Sequence, residues 1–388
     1  MSTPGPVPEP LPPEVAAVAG PSTPGRRAVG WILNLLGVAL LVAVLWRVPW
    51  ADRAFLAGGA EIRGRIVSVE RGTWIFEVPG EPAPRTLAPA GLMVREKGLP
   101  PVEEGVLTLS RRLDARLTLA VLGISLVMIV VASLRWRALL RTQGVDLRTG
   151  EAISLTFLGN FFTQVVPGGL VGGDVVKALY AARGRDKAAH AIVSVFVDRI
   201  LGLFGTVILA CVALFPRWED PRFHNHALMA YGVLVVGTLG GGVVLSRRIR
   251  AALRMESWVP RLPFVGGFLA EADLAVLSFR ERKGVILAGL VVSVGIHVSW
   301  CCATAIMGNM LGVPLGLTDY FAVIPPILIV AVIPLLPGGW GLGEASYVYI
   351  LGLLGVPPSQ AVAISILGRV TSMVSALPGG IVFLARRK

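Results

Sequence analysis

Val166-Pro167-Gly168-Gly169-Leu170-Val171-Gly172-Gly173-Asp174 recurs 170 residues later as Leu336-Pro337-Gly338-Gly339-Trp340-Gly341-Leu342-Gly343-Glu344. Each copy is a helix-breaking Pro-Gly-Gly, then a glycine four positions on, then an acid. Each sits in an apolar region long enough to reach deep into a bilayer. A broken helix frees backbone N–H and C=O groups, and a carboxylate is costly in hydrocarbon, so both need polar or paired surroundings. An arginine follows each acid by 25 residues, Arg199 after Asp174 and Arg369 after Glu344. Half-helix N–H groups with arginines suit a phosphate, while the acids can carry a proton or repel one headgroup charge. The simpler readings are an acid capping a first helical turn and an arginine in a structural ion pair, within each copy or crossed between copies.

The candidate substrate-binding set is Asn160, Pro167, Gly168, Gly169, Gly173, Asp174, Lys177 and Arg199 in the first copy. In the second it is Pro337, Gly338, Gly339, Gly343, Glu344 and Arg369. Gln164 is a further polar neighbour. Lys177, three residues after Asp174 on one helical face, also fits a snorkelling anchor. His224-x-His226 lacks a third metal ligand, and His297 stands alone in an apolar span, where a packed, hydrogen-bonded role is commoner. The run Gly237–Gly242 suits close helix packing. No phosphate loop, nucleophile elbow or zinc spacing is present, so neither a cofactor nor bond-making chemistry is expected.

These motifs must be carried by membrane helices. Of 388 residues, 54% are hydrophobic and 15% charged, and the mean hydropathy is +0.72. A soluble chain of that composition would expose large apolar patches, so a polytopic membrane protein is expected. The net charge of +12 lies in clusters between apolar runs, which points to anchors facing anionic lipid and not to nucleic acid. Cys211, Cys301 and Cys302 all fall in apolar runs, so no disulfide framework is expected.

Residues 1–25 hold eight prolines and read as a disordered cytoplasmic tail. Arg26 and Arg27 precede an apolar run, giving a signal-anchor span over 26–46 with the N-terminus inside. Residues 47–116 carry 11 Lys/Arg and 9 Asp/Glu and read as a small β-rich extracytoplasmic insert. Ile62–Val69 and Thr73–Val78 flank Arg71-Gly72 as a hairpin, and Leu92–Val94 and Val106–Leu109 are candidate strands. Full spans are expected over 117–134, 192–215, 227–245, 285–307 and 361–384, with an amphipathic connector over 255–283. Arg135, Arg137, Arg141 and Arg148 read as a cytoplasmic helix end. The segments 152–182 and 319–354 each enter, break at Pro-Gly-Gly and leave on the side they entered. The first has basic flanks, whereas no Lys or Arg occurs between Gly284 and Gly368.

Six spans and two re-entrant helix pairs result, with both termini inside. A shift of 170 superposes 117–134 on 287–304 and 190–215 on 360–385 without a gap. The two copies start on opposite sides, which defines an inverted-topology repeat over about 117–215 and 287–385. About 0.4 Pro-Gly-Gly triplets are expected by chance, and a third stands at Pro378-Gly379-Gly380. The added glycine and acid at fixed places make duplication the better account.

Over about 110–388 the chain resembles the lysylphosphatidylglycerol synthase transmembrane-region family, also called flippase-like membrane proteins. The resemblance rests on Trp136-Arg137-Ala138-Leu139-Leu140, Asn160, Pro167, Gly173-Asp174, Asp198-Arg199, Pro337-Gly338-Gly339-x-Gly341-x-x-Glu344 and Arg369. Asp174 and Asp198 stand where the family usually has Glu, and Lys177 where it usually has Arg. The resemblance implies lipid translocation, in some members fused to a cytosolic aminoacyl-lipid synthase that is not expected here. The expected protein is therefore a lipid flippase or lipid-linked-intermediate transporter of a bacterial inner membrane. Its substrate would be a phospholipid or polyprenyl-linked lipid, with a homo-oligomer or lipid-biosynthetic enzyme as candidate partner. The competing expectations are a membrane transferase, which would need a catalytic dyad in the insert, and a scaffold.

Overall fold

A computed structural model describes residues 46, 49–70, 72–95, 99–165, 169–182, 188–246, 252, 279, 282–331 and 342–386. The tail 1–25, almost all of the 26–46 anchor and most of the 255–283 connector lie outside these residues. So do Pro167, Gly168, Pro337, Gly338 and Gly339.

The insert is a five-stranded antiparallel sheet in the order β4-β3-β2-β1-β5. Its strands are β1 (Asp52–Phe55), β2 (Glu61–Glu70), β3 (Thr73–Glu77), β4 (Arg85–Leu87) and β5 (Val102–Glu103). The expected hairpin is present, with Glu70 opposite Thr73 and Val69 opposite Trp74 across Gly72 at φ 81°. Alternate residues of the strands turn inward around Phe76, Ala54, Ile62 and Leu87. Asp52 fastens the sheet to the chain that leaves it at Gly105. Its buried carboxylate accepts from the Ile66 and Gly105 amides, each at 2.6 Å, and from Thr108 Oγ1 at 3.0 Å. Two expected strands are corrected. Val106–Ser110 is a helix, α1, which buries Val106 and Leu109 at i and i+3. Of Leu92–Val94, only Leu92 pairs, in a single bridge to Leu56.

The remaining helices are α2 (Ala115–Thr142), α3 (Thr149–Val165), α4 (Gly169–Ala182), α5 (Ala188–Leu214) and α6 (His224–Leu245). After these come α7 (Lys283–Met310), α8 (Leu317–Ala331), α9 (Leu342–Gly352) and α10 (Pro358–Arg386). Asp114 caps α2 by accepting from the Leu117 amide at 2.9 Å. Left-handed glycines end α2 and α7, Gly144 at φ 68° and Gly312 at φ 71°. In both, the next amide returns to a carbonyl five residues earlier, Val145 to Leu140 and Val313 to Gly308.

Among the described residues, four helices, α2, α5, α7 and α10, are long and apolar enough to cross a membrane. The 22-residue α6 is a further apolar helix. Large apolar side chains point outward from these helices, among them Leu119, Val127, Val212, Val236, Leu287 and Ile381, as a hydrocarbon solvent allows. Of the glycine run in α6, Gly237 lies against the Phe204 ring, but a Cβ on Gly240, Gly241 or Gly242 would meet nothing. Close packing is therefore confined to one of these four.

The short helices pair as α3 with α4 and α8 with α9, each pair separated by the stretch that carries Pro-Gly-Gly. The packing crosses over. Helix α3 lies along α10, while α8 lies along α5. At the α3–α10 crossing, Gly379 and Gly380 of the third Pro-Gly-Gly face Phe157 and Phe161, where a Cβ on Gly379 would strike the Phe157 carbonyl.

Candidate functional site

The helices enclose a cavity of about 470 Å³ lined from α2, α3, α4, α5, α7, α8, α9 and α10. Its ionic wall holds Arg135, Lys177, Asp198, Arg199 and Arg369. Asp174 accepts from Arg199 through both carboxylate oxygens, from Nη2 at 2.7 Å and from Nε. Glu344 accepts from Arg369 Nε through Oε1. Each pair thus joins an acid to the arginine 25 residues further on, and no cross-pairing occurs between them. The arginines line the cavity, and the acids lie behind them.

The two pairs differ in depth. The Glu344 and Arg369 side chains are 1% and 17% exposed, against 19% and 43% for Asp174 and Arg199. Glu344 also lies within 3.5 Å of Ser365 Oγ. It falls in the first turn of α9, whereas Asp174 is five residues into α4, past the turn expected for a cap.

A third ionic group joins three helices. Arg135 Nε donates to Asp198 Oδ1 at 2.9 Å and its Nη1 to Ser293 Oγ at 2.5 Å. Lys177 is buried, with Nζ 3.9 Å from Asp198 Oδ2 and 3.9 Å above the Trp136 ring. Snorkelling is thereby corrected, since the ammonium points into the protein. Trp136 is itself held by Nε1 donating to Ser194 Oγ at 3.1 Å.

Arg135 is the residue sequence reasoning missed. Its place in the chain groups it with Arg137 and Arg141, which do sit at a polar helix end, donating to the Leu147 carbonyl and to Asp146. The available signal is Ser125, Met128, Ala132 and Arg135, which share one helical face and all line the cavity. Asn160 and Gln164 also line it, one turn apart on α3. His297 faces the cavity and is hydrogen-bonded, its Nε2 2.8 Å from Thr206 Oγ1 and 3.0 Å from the Gly202 carbonyl. His224 and His226 gather no third ligand, and no cluster fit for a metal occurs among the described residues.

The paired glycines act differently. A Cβ at Gly173 would run into the Gly159 carbonyl and Thr163 across the α3–α4 contact, whereas at Gly343 it would meet Arg369 Nη2 at 2.9 Å. Gly173→Ala is therefore expected to lower the melting temperature of the purified protein, at a cost of about 1–3 kcal/mol from overpacking against backbone. Gly343→Ala should melt near wild type while displacing the Arg369 guanidinium, because a side-chain end can yield. Equal melting losses would refute this difference.

Long apolar helices around a buried ionic cavity define a mostly helical integral membrane protein. Residues 104–379 match the family described as the lysylphosphatidylglycerol synthase TM region, and the chain belongs to that family. A UPF0104 membrane protein of Pyrococcus horikoshii is 22% identical over 306 residues, covering 74% of this chain and 91% of that one. A UPF0104 membrane protein of Methanothermobacter thermautotrophicus is 22% identical over 286 residues, covering 69% and 85%. No solved structure matches the chain. The family match begins at residue 104, so strands β1 to β5 precede it.

Proposed function

We propose that this protein is a lipid flippase, or a transporter of a lipid-linked intermediate, which passes a phosphate-bearing headgroup through the central cavity by alternating exposure. The observation that carries this reading is the cavity walled by ion-paired arginines from both halves of the chain. Guanidiniums held by carboxylates behind them are preorganised for a phosphate and shielded from hydrocarbon when the cavity is empty.

The inverted repeat is part of the same proposal. Helices α2, α3, α4 and α5 begin at 115, 149, 169 and 188, and α7, α8, α9 and α10 at 283, 317, 342 and 358. The crossed packing, α3 on α10 and α8 on α5, is what exchange of two halves about a pseudo-twofold axis gives. The two Pro-Gly-Gly breaks would then be re-entrant tips approaching the cavity from opposite faces. We take the site to bind its ligand without transforming it, in a bacterial cytoplasmic membrane with both termini inside.

Reconstitution into liposomes with fluorescent-tailed lipids tests the function. Headgroup translocation should be measurable and fall at least about tenfold on Arg199→Gln or Arg369→Gln, the loss of one charge-assisted contact. No translocation of any lipid, or no loss in either variant, would overturn it.

A further inference from the structure

Among the described residues the cavity is not charge-balanced. Four cations line it, Arg135, Lys177, Arg199 and Arg369, and three carboxylates contact them, Asp174, Asp198 and Glu344. The surplus of one positive charge falls at Asp198, which serves both Arg135 and Lys177. The arginine takes the near position at 2.9 Å, leaving the ammonium at 3.9 Å. The corresponding positions 170 residues on are Ala305, Tyr347 and Gly368, so this ionic group has no counterpart in the second half. A buried cation that shares its carboxylate, at the wall of a cavity, leaves a position that a bound anion would complete.

Hydroxyls on α10 and α3 give the cavity a second kind of lining. Ser372 and Ser375 on α10 donate to their own helix, to the Gly368 carbonyl at 2.9 Å and the Thr371 carbonyl at 2.6 Å. On α3, Thr156 and Thr163 do the same, to the Ala152 and Gly159 carbonyls at 2.9 and 3.0 Å. Their protons are thus committed, and the oxygens keep lone pairs to offer the cavity they line. Such a wall accepts from ligand hydroxyls. An ammonium would also find acceptors there, but every described carboxylate at the site is already taken by a cation, and the net field is positive.

We propose, resting on the transport reading above, that the ligand is a lipid with a singly charged phosphate diester and a neutral hydroxylated headgroup. Lys177 and the cavity-facing part of Arg199 seat the phosphate, the hydroxyl wall holds the polyol or sugar, and ammonium-bearing headgroups are excluded. A glycerol-headed phospholipid and a sugar-phosphate polyprenol share this chemistry.

Binding to the purified full chain in detergent tests the assignment separately from transport. Fluorescent phosphatidylglycerol, a sugar-phosphate polyprenol and phosphatidylethanolamine are titrated in parallel. At least one of the first two should bind about tenfold more tightly than the ethanolamine lipid, and which one does identifies the lipid source. Lys177→Met should erase that preference. Gln164→Glu, nearly isosteric on the cavity wall, adds the missing negative charge and should narrow the preference without disturbing the fold. Equal or tighter binding of phosphatidylethanolamine overturns the proposal, as does an unchanged preference in Gln164→Glu. A retained preference with no flux in liposomes sinks the transport reading alone, and flux of every lipid without any binding preference sinks this one alone.

Discussion

Glu344→Gln is expected to destabilise the purified protein by about 3–5 kcal/mol, since it leaves a buried guanidinium without its carboxylate. Asp174→Asn should cost nearer about 1 kcal/mol, in the range of exposed pairs. Chemically the two substitutions are the same removal of charge, and burial decides between them. Glu344 is fully buried and the Arg369 side chain is 17% exposed, whereas the Arg199 side chain is 43% exposed. Water or counterions in the cavity therefore reach a stranded Arg199 more readily than a stranded Arg369. Thermal melts of both variants in one detergent give the comparison, and equal losses would refute it. Combining Glu344→Gln with Arg369→Gln should recover part of the stability, because no lone charge stays buried, yet translocation should remain lost. Recovery of both would mean that the pair serves only the fold.

A loss of similar size, about 3–5 kcal/mol, is expected for Asp198→Asn, although Asp198 lies outside the two recurring motifs. Its carboxylate is the contact for two cations on two other helices, Arg135 of α2 and Lys177 of α4. Removing it leaves two like charges facing each other across a neutral amide. A second substitution distinguishes this account from a general packing defect. Lys177→Met in the Asp198→Asn background removes one of the two stranded charges and should raise the melting temperature again. Arg199→Gln in the same background should not, because Arg199 keeps its own acid, Asp174. If Lys177→Met gives no recovery, the shared-carboxylate account fails.

Charge spacing made part of this site readable in the sequence. Two acids, each 25 residues before an arginine, implied two ion pairs, and the structure forms both within their own copies. Long apolar runs gave α2, α5, α7 and α10, because a helix is the way a single segment satisfies its backbone in hydrocarbon. The third ionic group was not readable, because arginine at the end of an apolar run has two meanings. Arg137 turns out to the loop at Leu147, and Arg135, two residues away and so on the far side of the helix, turns in to Asp198. Only the side-chain stripe through Ser125 and Ala132 distinguishes them. In the insert, Val106–Leu109 is too short a run for periodicity to separate strand from helix. Strand β1, Asp-Arg-Ala-Phe, has little strand propensity of its own and owes its conformation to β2, β5 and the bonds accepted by Asp52.

The crossed packing of α3 on α10 and α8 on α5 also constrains how the chain is made. Helix α3 ends at Val165 and its partner α10 begins at Pro358, so the glycine face that receives Phe157 and Phe161 is synthesised more than two hundred residues after the phenylalanines. At ordinary elongation rates that interval is on the order of 10–40 s. During it the first half is inserted without its clasp, and Arg135, Lys177 and Asp198 can already neutralise one another while the cavity is still open on the side of α10. That ionic group draws all three of its charges from the first half, so its members are all present in the chain before the last helix is made.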